Sequence, residues 1–238
     1  MSDGFPNKPR TERGAFVEFG LSVPPLLVVF QFNPVQLTRK HGLTYSFPGA
    51  PSATPAGDQT AAVQRTLRER RAEFSDLLEL QKEQLVTVQD HSIAFDIRLD
   101  ATDRLDGRDP VAQRHGIAPQ LATLELMMYP KQESLLGQAV DLLLNKPDGF
   151  SFTRTANPPL VLFVFGRKRV LPVNINTMAI TETEFSADLS PVRASVAVDL
   201  TVIEGNSVPF LYSKAVMEQL SVLDLVNNAA TVHVALPG

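Results

Sequence analysis

A mainly β (α+β) domain, an antiparallel barrel or sandwich with flanking helices and helical insertions, is the fold class this sequence predicts. Three observations carry it. Apolar residues alternate strictly in two distant stretches, Ile93-Phe95-Ile97-Leu99 and Ala194-Val196-Val198-Leu200-Val202, which is the period of a strand with one buried face. The segments run strands, helices, strands and a terminal helix, and this order argues against a regular βαβ winding. A chain of 238 residues that is 44% hydrophobic buries a sizeable core in one large domain or two small ones.

Residues 1–13 are polar and hold prolines, which predicts a loose N-terminal arm. Phe16–Phe19 is a short strand, and Leu26–Phe32 a β-branched and aromatic one that Asn33-Pro34 stops. Leu43–Phe47 alternates as a further strand. Residues 48–62, rich in Pro, Gly, Ala and Ser, read as a flexible loop. Over 63–86 the apolar positions Val63, Leu67, Phe74, Leu77, Leu78 and Leu85 predict a helix, supported by Arg65 and Glu69 at i,i+4. Residues 48–86 together form an insertion. Ile93–Leu99 is a half-buried strand that ends in an acidic turn. Ile117, Leu121, Leu124 and Met128 mark one helix, and a second is expected over 132–144, so that helices occupy about 117–144.

The last third returns to β. Leu160–Phe165 is a continuous apolar run ended by Gly166, suited to a strand buried on both faces. In the next strand the apolar positions are odd at Val173 and Ile175 and even at Met178 and Ile180, which predicts a bulge or bend between them. Phe210–Val226 reads as a helix with Val216, Leu220 and Leu223 as its core stripe, and Thr231–Leu236 as a short strand. The domain proper is thus placed at 14–204, with a helix and tail over 205–238.

Composition narrows the function. The net charge of −4 lacks the basic excess that a nucleic-acid groove needs. The absence of cysteine removes disulfides and thiolate metal sites. The N-terminus shows no signal-peptide pattern, and the longest apolar run, Val23–Phe30, is far short of a membrane span. A cytoplasmic product without nucleic-acid or membrane partners is expected.

The search for chemistry returns little. His41, His91, His115 and His233 show no metal-ligand spacing. Asp100, Asp103, Asp106 and Asp109 recur every third residue, but a calcium loop requires a glutamate where Val111 stands; a solvated acidic turn is the simpler reading. Glu182 and Glu184 flank a threonine on one predicted strand and would share a face as a polar stripe. Phosphate loops and nucleophile elbows are missing from the sequence. Arg65, Arg68, Arg70 and Arg71 are balanced by Glu69, Glu73, Asp76, Glu79 and Glu83, either as a solvated helix or as an inter-subunit contact. No catalytic, cofactor-binding or metal-binding residue is assigned, and no enzymatic activity is expected.

Two stretches carry a resemblance. The first is Phe30-Gln31-Phe32-Asn33-Pro34 followed by Leu37 and Arg39. The second is Pro158-Pro159 leading to Phe163 and Gly166, then Pro191-Val192-Arg193-Ala194 opening the last long strand. In order and spacing these resemble the tube-type baseplate proteins, including the tube initiators, of extracellular contractile injection systems. The resemblance spans residues 16–204. It implies a phage tail-tube-like barrel or sandwich, without a cofactor, whose copies close into a hexameric ring. That ring would join the spike or hub to the inner tube and nucleate tube growth at the baseplate of a particle assembled in the cytoplasm. Its partners would be other copies of itself, the spike or hub, inner-tube proteins and baseplate components. The tail after Glu204 is too short for a LysM module, so a LysM-lacking variant is implied. The alternatives are a main-tube, cap or hub protein of the same kind of particle, or a metal-dependent hydrolase using the acidic turn. Arg193 is expected to tie its loop to the barrel or to face a neighbouring subunit.

Overall fold

The computed structural model describes residues 12–20, 25–47, 67–130 and 157–228. Arg65, the loop at 48–62, the expected helix at 132–144 and the strand at 231–236 lie outside the described residues, as do residues 1–11. The chain divides into two compact units, one formed by Met1–Arg39 with Ser92–Gly238, the other by Lys40–His91.

Seven strands form one antiparallel sheet: β1 (Gly14–Glu18), β2 (Leu27–Val29), β3 (Leu37–Ser46), β4 (Leu85–Asp100), β5 (Val161–Phe165), β6 (Val170–Phe185) and β7 (Pro191–Val202). Their spatial order is β2-β1-β5-β6-β7-β4-β3. Among the described residues the sheet is not closed, with β2 and β3 at its edges, so of the expected barrel or sandwich the barrel is not completed by them. Closure needs strands long enough to tilt and stagger against each other. β2 has three residues, because the chain leaves the ladder after Val29 and returns only as a single bridge between Phe32 and Arg98.

Strict alternation fixes the register. Ile93, Phe95, Ile97 and Leu99 stand opposite Leu200, Val198, Val196 and Ala194, so both apolar sets fall on one face. That face carries the core together with Phe16, Phe30, Phe163, Leu171 and Val173. Phe16 and Phe30 meet edge to face with centroids 5.1 Å apart, and Phe95 stacks on Phe163 at 5.1 Å; such pairs contribute about 0.5–1.5 kcal/mol each beyond area burial. Residues of three short helices cover the core: α3 (Thr102–Asp106), α4 (Pro110–His115) and α5 (Ala118–Leu126), with Ile117, Leu121 and Leu124 fully or almost fully buried.

The expected break in β6 is a bulge. Ile175 faces Leu200 and Thr177 faces Asp199, which leaves Asn176 as the extra residue. Its amide donates to Asp199 Oδ1 at 3.1 Å and to Thr201 Oγ1 at 2.8 Å. A second irregularity at Thr183 sets Glu182 opposite Ala194 and Glu184 opposite Arg193. The two glutamates therefore do not share a face as the sequence suggests, because the bulge reverses the parity between them.

Other expectations need correction. The helix expected over 63–86 is, in its described part, two short helices, α1 (Leu67–Ala72) and α2 (Leu77–Glu83, N-capped by Asp76), and Leu85 already belongs to β4. The acidic turn is largely helical: Asp100 accepts from the Thr102 amide, and Asp109 N-caps α4 by accepting from Val111 N. β5 is not buried on both faces, since Leu162 and Val164 are only half-buried. The terminal helix α6 (Val208–Asn228) exists, but Leu220 and Leu223 of its expected core stripe are exposed. It is fastened near its start instead. β7 ends at Val202, opposite Val173, and Ser213 Oγ takes up the free backbone of β6 beyond that point, donating to Val170 O at 2.7 Å and accepting from Val170 N at 2.9 Å.

Candidate functional site

Two features outside the core concentrate the residues singled out in the sequence. The first is a junction around Arg193. Pairing Leu99 with Ala194 sets Asp100 opposite Arg193. Arg193 Nε donates to Asp100 Oδ2 at 2.7 Å, Nη1 to Glu184 Oε1 at 2.7 Å, and Nη2 to Thr102 Oγ1 at 3.3 Å. One guanidinium thus joins the ends of β4, β6 and β7, the fork geometry for which arginine is suited. Partial burial acts to raise the Asp100 carboxyl, but hydrogen bonds from Thr102 and Arg193 outweigh it and hold the carboxyl below its ordinary range. Arg193 is correspondingly pushed up, chiefly by its hydrogen bond to Asp100.

The neighbours of Arg193 are equally committed. Pro191 O accepts from Ile117 N, Val192 O from Ala101 N, and the Ser190 hydroxyl donates to Arg114 O. Gly116 lies under Pro191 at a positive φ of 54°, and a Cβ there would come within 2.0 Å of Pro191 O, so the close approach admits only glycine.

The first motif meets the second here. Gln31 Oε1 accepts from the Asp100 amide at 2.9 Å. Asn33 fixes the start of β1, accepting from Gly14 N and donating to Glu12 O, both at 2.8 Å. An open cleft of about 1050 Å³ is lined by Phe32, Asn33, Pro34, Arg193 and Ala194 together with Arg13, Arg98, Asp96 and Asp100. Phe30 and Phe163 are core residues on either side of Phe16, Leu37 and Arg39 stand at the start of β3, and Gly166 makes the β5–β6 turn at a φ of 68°. Arg68, Arg70 and Arg71 lie on α1, in the other unit. Sequence reasoning misses Asp100, Glu184 and Gln31 as partners. The signal is present for Asp100, because two strands of matching alternation pair their terminal opposite charges.

The second feature is the outer face of the sheet, which divides in two. On β4, β7 and distal β6 it carries Ala94, Asp96, Arg98, Ser195, Ala197, Asp199, Thr177, Ala179 and Thr181, a surface of small and polar groups, three of them charged. On β2, β1, β5 and the start of β6 the register aligns two aliphatic rows, Val29-Ala15-Val164-Val170 and Leu27-Val17-Leu162-Pro172. Leu27 is 56% and Val29 49% exposed, whereas Ala15 and Pro172 are buried and Val17, Leu162, Val164 and Val170 are half-buried.

The fold and these features define a class: an open antiparallel sheet with one covered face and a divided outer face, built around a hydrogen-bonded arginine junction. No protein-family model matches the chain, and no curated protein matches it in sequence. Among the described residues no helix is long and apolar enough to cross a membrane.

Proposed function

We propose that this protein is a structural, non-enzymatic subunit that assembles with its own copies into a ring of the inner tube of a contractile injection particle. The observation that carries the reading is the divided outer face. A subunit that lines a channel and contacts its neighbours needs a small, polar strip toward the lumen and an aliphatic strip that assembly buries. β2 and β3 are the edge strands, and a closed heterologous ring pairs or covers such edges. The resemblance of the Phe30–Arg39 and Pro158–Ala194 segments to tube-type baseplate proteins supplies the particle, a hexameric ring and a place between spike and tube. The convergence of Phe32, Asn33, Pro34, Arg193 and Ala194 on one cleft gives those motif residues a common structural role that requires no catalysis.

Quantitative mass spectrometry of particles purified with the tagged chain tests the proposal. Co-purification with sheath and spike proteins is expected. About six copies per particle would mark an initiator or cap ring, and many times more the main tube. A chain that never joins such a particle sinks the reading.

A further inference from the structure

His41 and His91 are far apart in the sequence, and the pairing of β3 with β4 brings them together. Both belong to the unit Lys40–His91. The two strands are laced close by: Gln89 Nε2 donates to Thr44 Oγ1 at 3.2 Å, and a Cβ on Gly42 would meet the Gln89 side chain. The two imidazole rings lie face to face, with centroids 3.7 Å apart and planes 30° from parallel. A nitrogen of each ring lies within 4.8 Å of one on the other. His91 is buried and His41 is exposed.

His91 opens the row of β4 that continues as Ile93, Phe95, Ile97 and Leu99, every one of them buried. A residue placed there for bulk alone would be aliphatic. An imidazole brings ring nitrogens, and burying them is costly unless they are engaged. Two imidazoles in contact repel each other when both are charged, whereas two neutral ones each offer a lone pair, the donor set that suits a borderline divalent transition-metal ion. A tetrahedral ion that holds each nitrogen at about 2.0–2.1 Å sets the two about 3.3 Å apart. Because His41 is exposed, a turn of its ring about its own side-chain bonds closes the distance while His91 stays in place. The unit also lacks other means of holding its strands. Among its described residues only Phe47 and His91 are buried, while Leu43, Tyr45, Leu85, Val86 and Val88 are exposed. A two-stranded ribbon is marginal by itself, and a bound metal is one of the staples that small units use in place of a core.

We propose that His41 and His91 form a binding site for a divalent transition-metal ion of the zinc type, completed by water, and that the ion ties β3 to β4 within this unit. The inference goes beyond the ring reading and does not depend on it.

The full-length chain, first stripped of metal with a chelator, is titrated with Zn2+ and followed by calorimetry and thermal melting. One ion per chain and a raised melting temperature are expected, since an ion held only by the folded state stabilises it. Ca2+ and Mg2+, which take oxygen ligands, should produce neither effect. His41→Gln, a change at an exposed position, should fold normally by circular dichroism and lose the zinc-dependent shift. His91→Gln should lose it too; if that variant fails to fold, His41→Gln decides alone. His115→Gln combined with His233→Gln should keep both the binding and the shift. Zinc should also slow amide exchange over residues 85–91 in the unmodified chain and leave it unchanged in His41→Gln. An unmodified chain that binds no zinc overturns the proposal. So does binding that survives His41→Gln undiminished, or binding that disappears with His115 and His233.

Discussion

At the scale of the residue, Arg193 and Asp100 explain why the motif is placed where it is. The pair staples the mouth of the sheet, where three strand ends would otherwise splay. Because the Asp100 carboxyl titrates below the unfolded value of 3.8, its contribution is present above that value and is lost as pH falls through the folded one. Asp100→Asn should therefore lower the melting temperature at pH 7, and the difference from the unmodified protein should narrow as pH approaches 3. Thermal melts across that range check it; a pH-independent gap would mean that the carboxylate charge is not what the junction uses. Thr102 provides an internal control. Its hydroxyl donates to Asp100 while accepting from Arg193, so Thr102→Val should show a smaller pH dependence of the same sign.

At the scale of the element, β6 shows what a one-dimensional pattern reveals and what it hides. The change of parity between Ile175 and Met178 is enough to locate the bulge, because a strand that must keep one face in the core cannot change parity without an extra residue. Deleting Asn176 should therefore leave a continuous ladder, Ile175 opposite Leu200 and Thr177 opposite Asp199. The loss should be about 1 kcal/mol from its side-chain hydrogen bonds. Deleting Ala179 should instead turn Ile180 outward and cost several kcal/mol. Urea unfolding of the two deletions decides, and equal midpoints would refute the parity argument. Alternation also makes β4 and β7 legible, and a continuous apolar run makes β5 so, since each needs only local sequence. The Arg193 junction is not legible from local sequence, because its partner Asp100 lies 93 residues away; it becomes so only when the matching alternation of β4 and β7 is used to pair them. α6 misleads for a related reason. Helical spacing identifies an apolar stripe at Val216, Leu220 and Leu223, but the sequence cannot say whether this chain or another covers it. The segment at 63–86 misleads because Leu77, Leu78 and Leu85 fit a helical period although the last begins a strand.

At the scale of the whole molecule, stability and assembly draw on different faces of the same sheet. The inner face, with Phe16, Phe30 and Phe163 fully buried, sets the stability of the chain; truncating such a phenylalanine to alanine typically costs about 3–5 kcal/mol. The aliphatic outer rows contribute little to that stability at Leu27 and Val29, where they are exposed. If these two are buried between copies, as the proposed ring requires, stability and assembly separate under mutation. Leu27→Asp with Val29→Asp should leave the unfolding free energy of the monomer, read by urea titration, within about 0.5 kcal/mol per site of the unmodified protein. The same variant should abolish self-association, because it places unpaired charges in an apolar contact. Ala197→Lys, an equally radical change at an exposed site on the polar strip, should leave both properties intact if the proposed ring turns that strip to its lumen, because the site then stays in solvent in both states. Mass photometry and urea titration on the same samples read the two axes. The divided face loses its functional meaning if Ala197→Lys blocks assembly as fully as the Leu27/Val29 pair, or if the pair assembles normally.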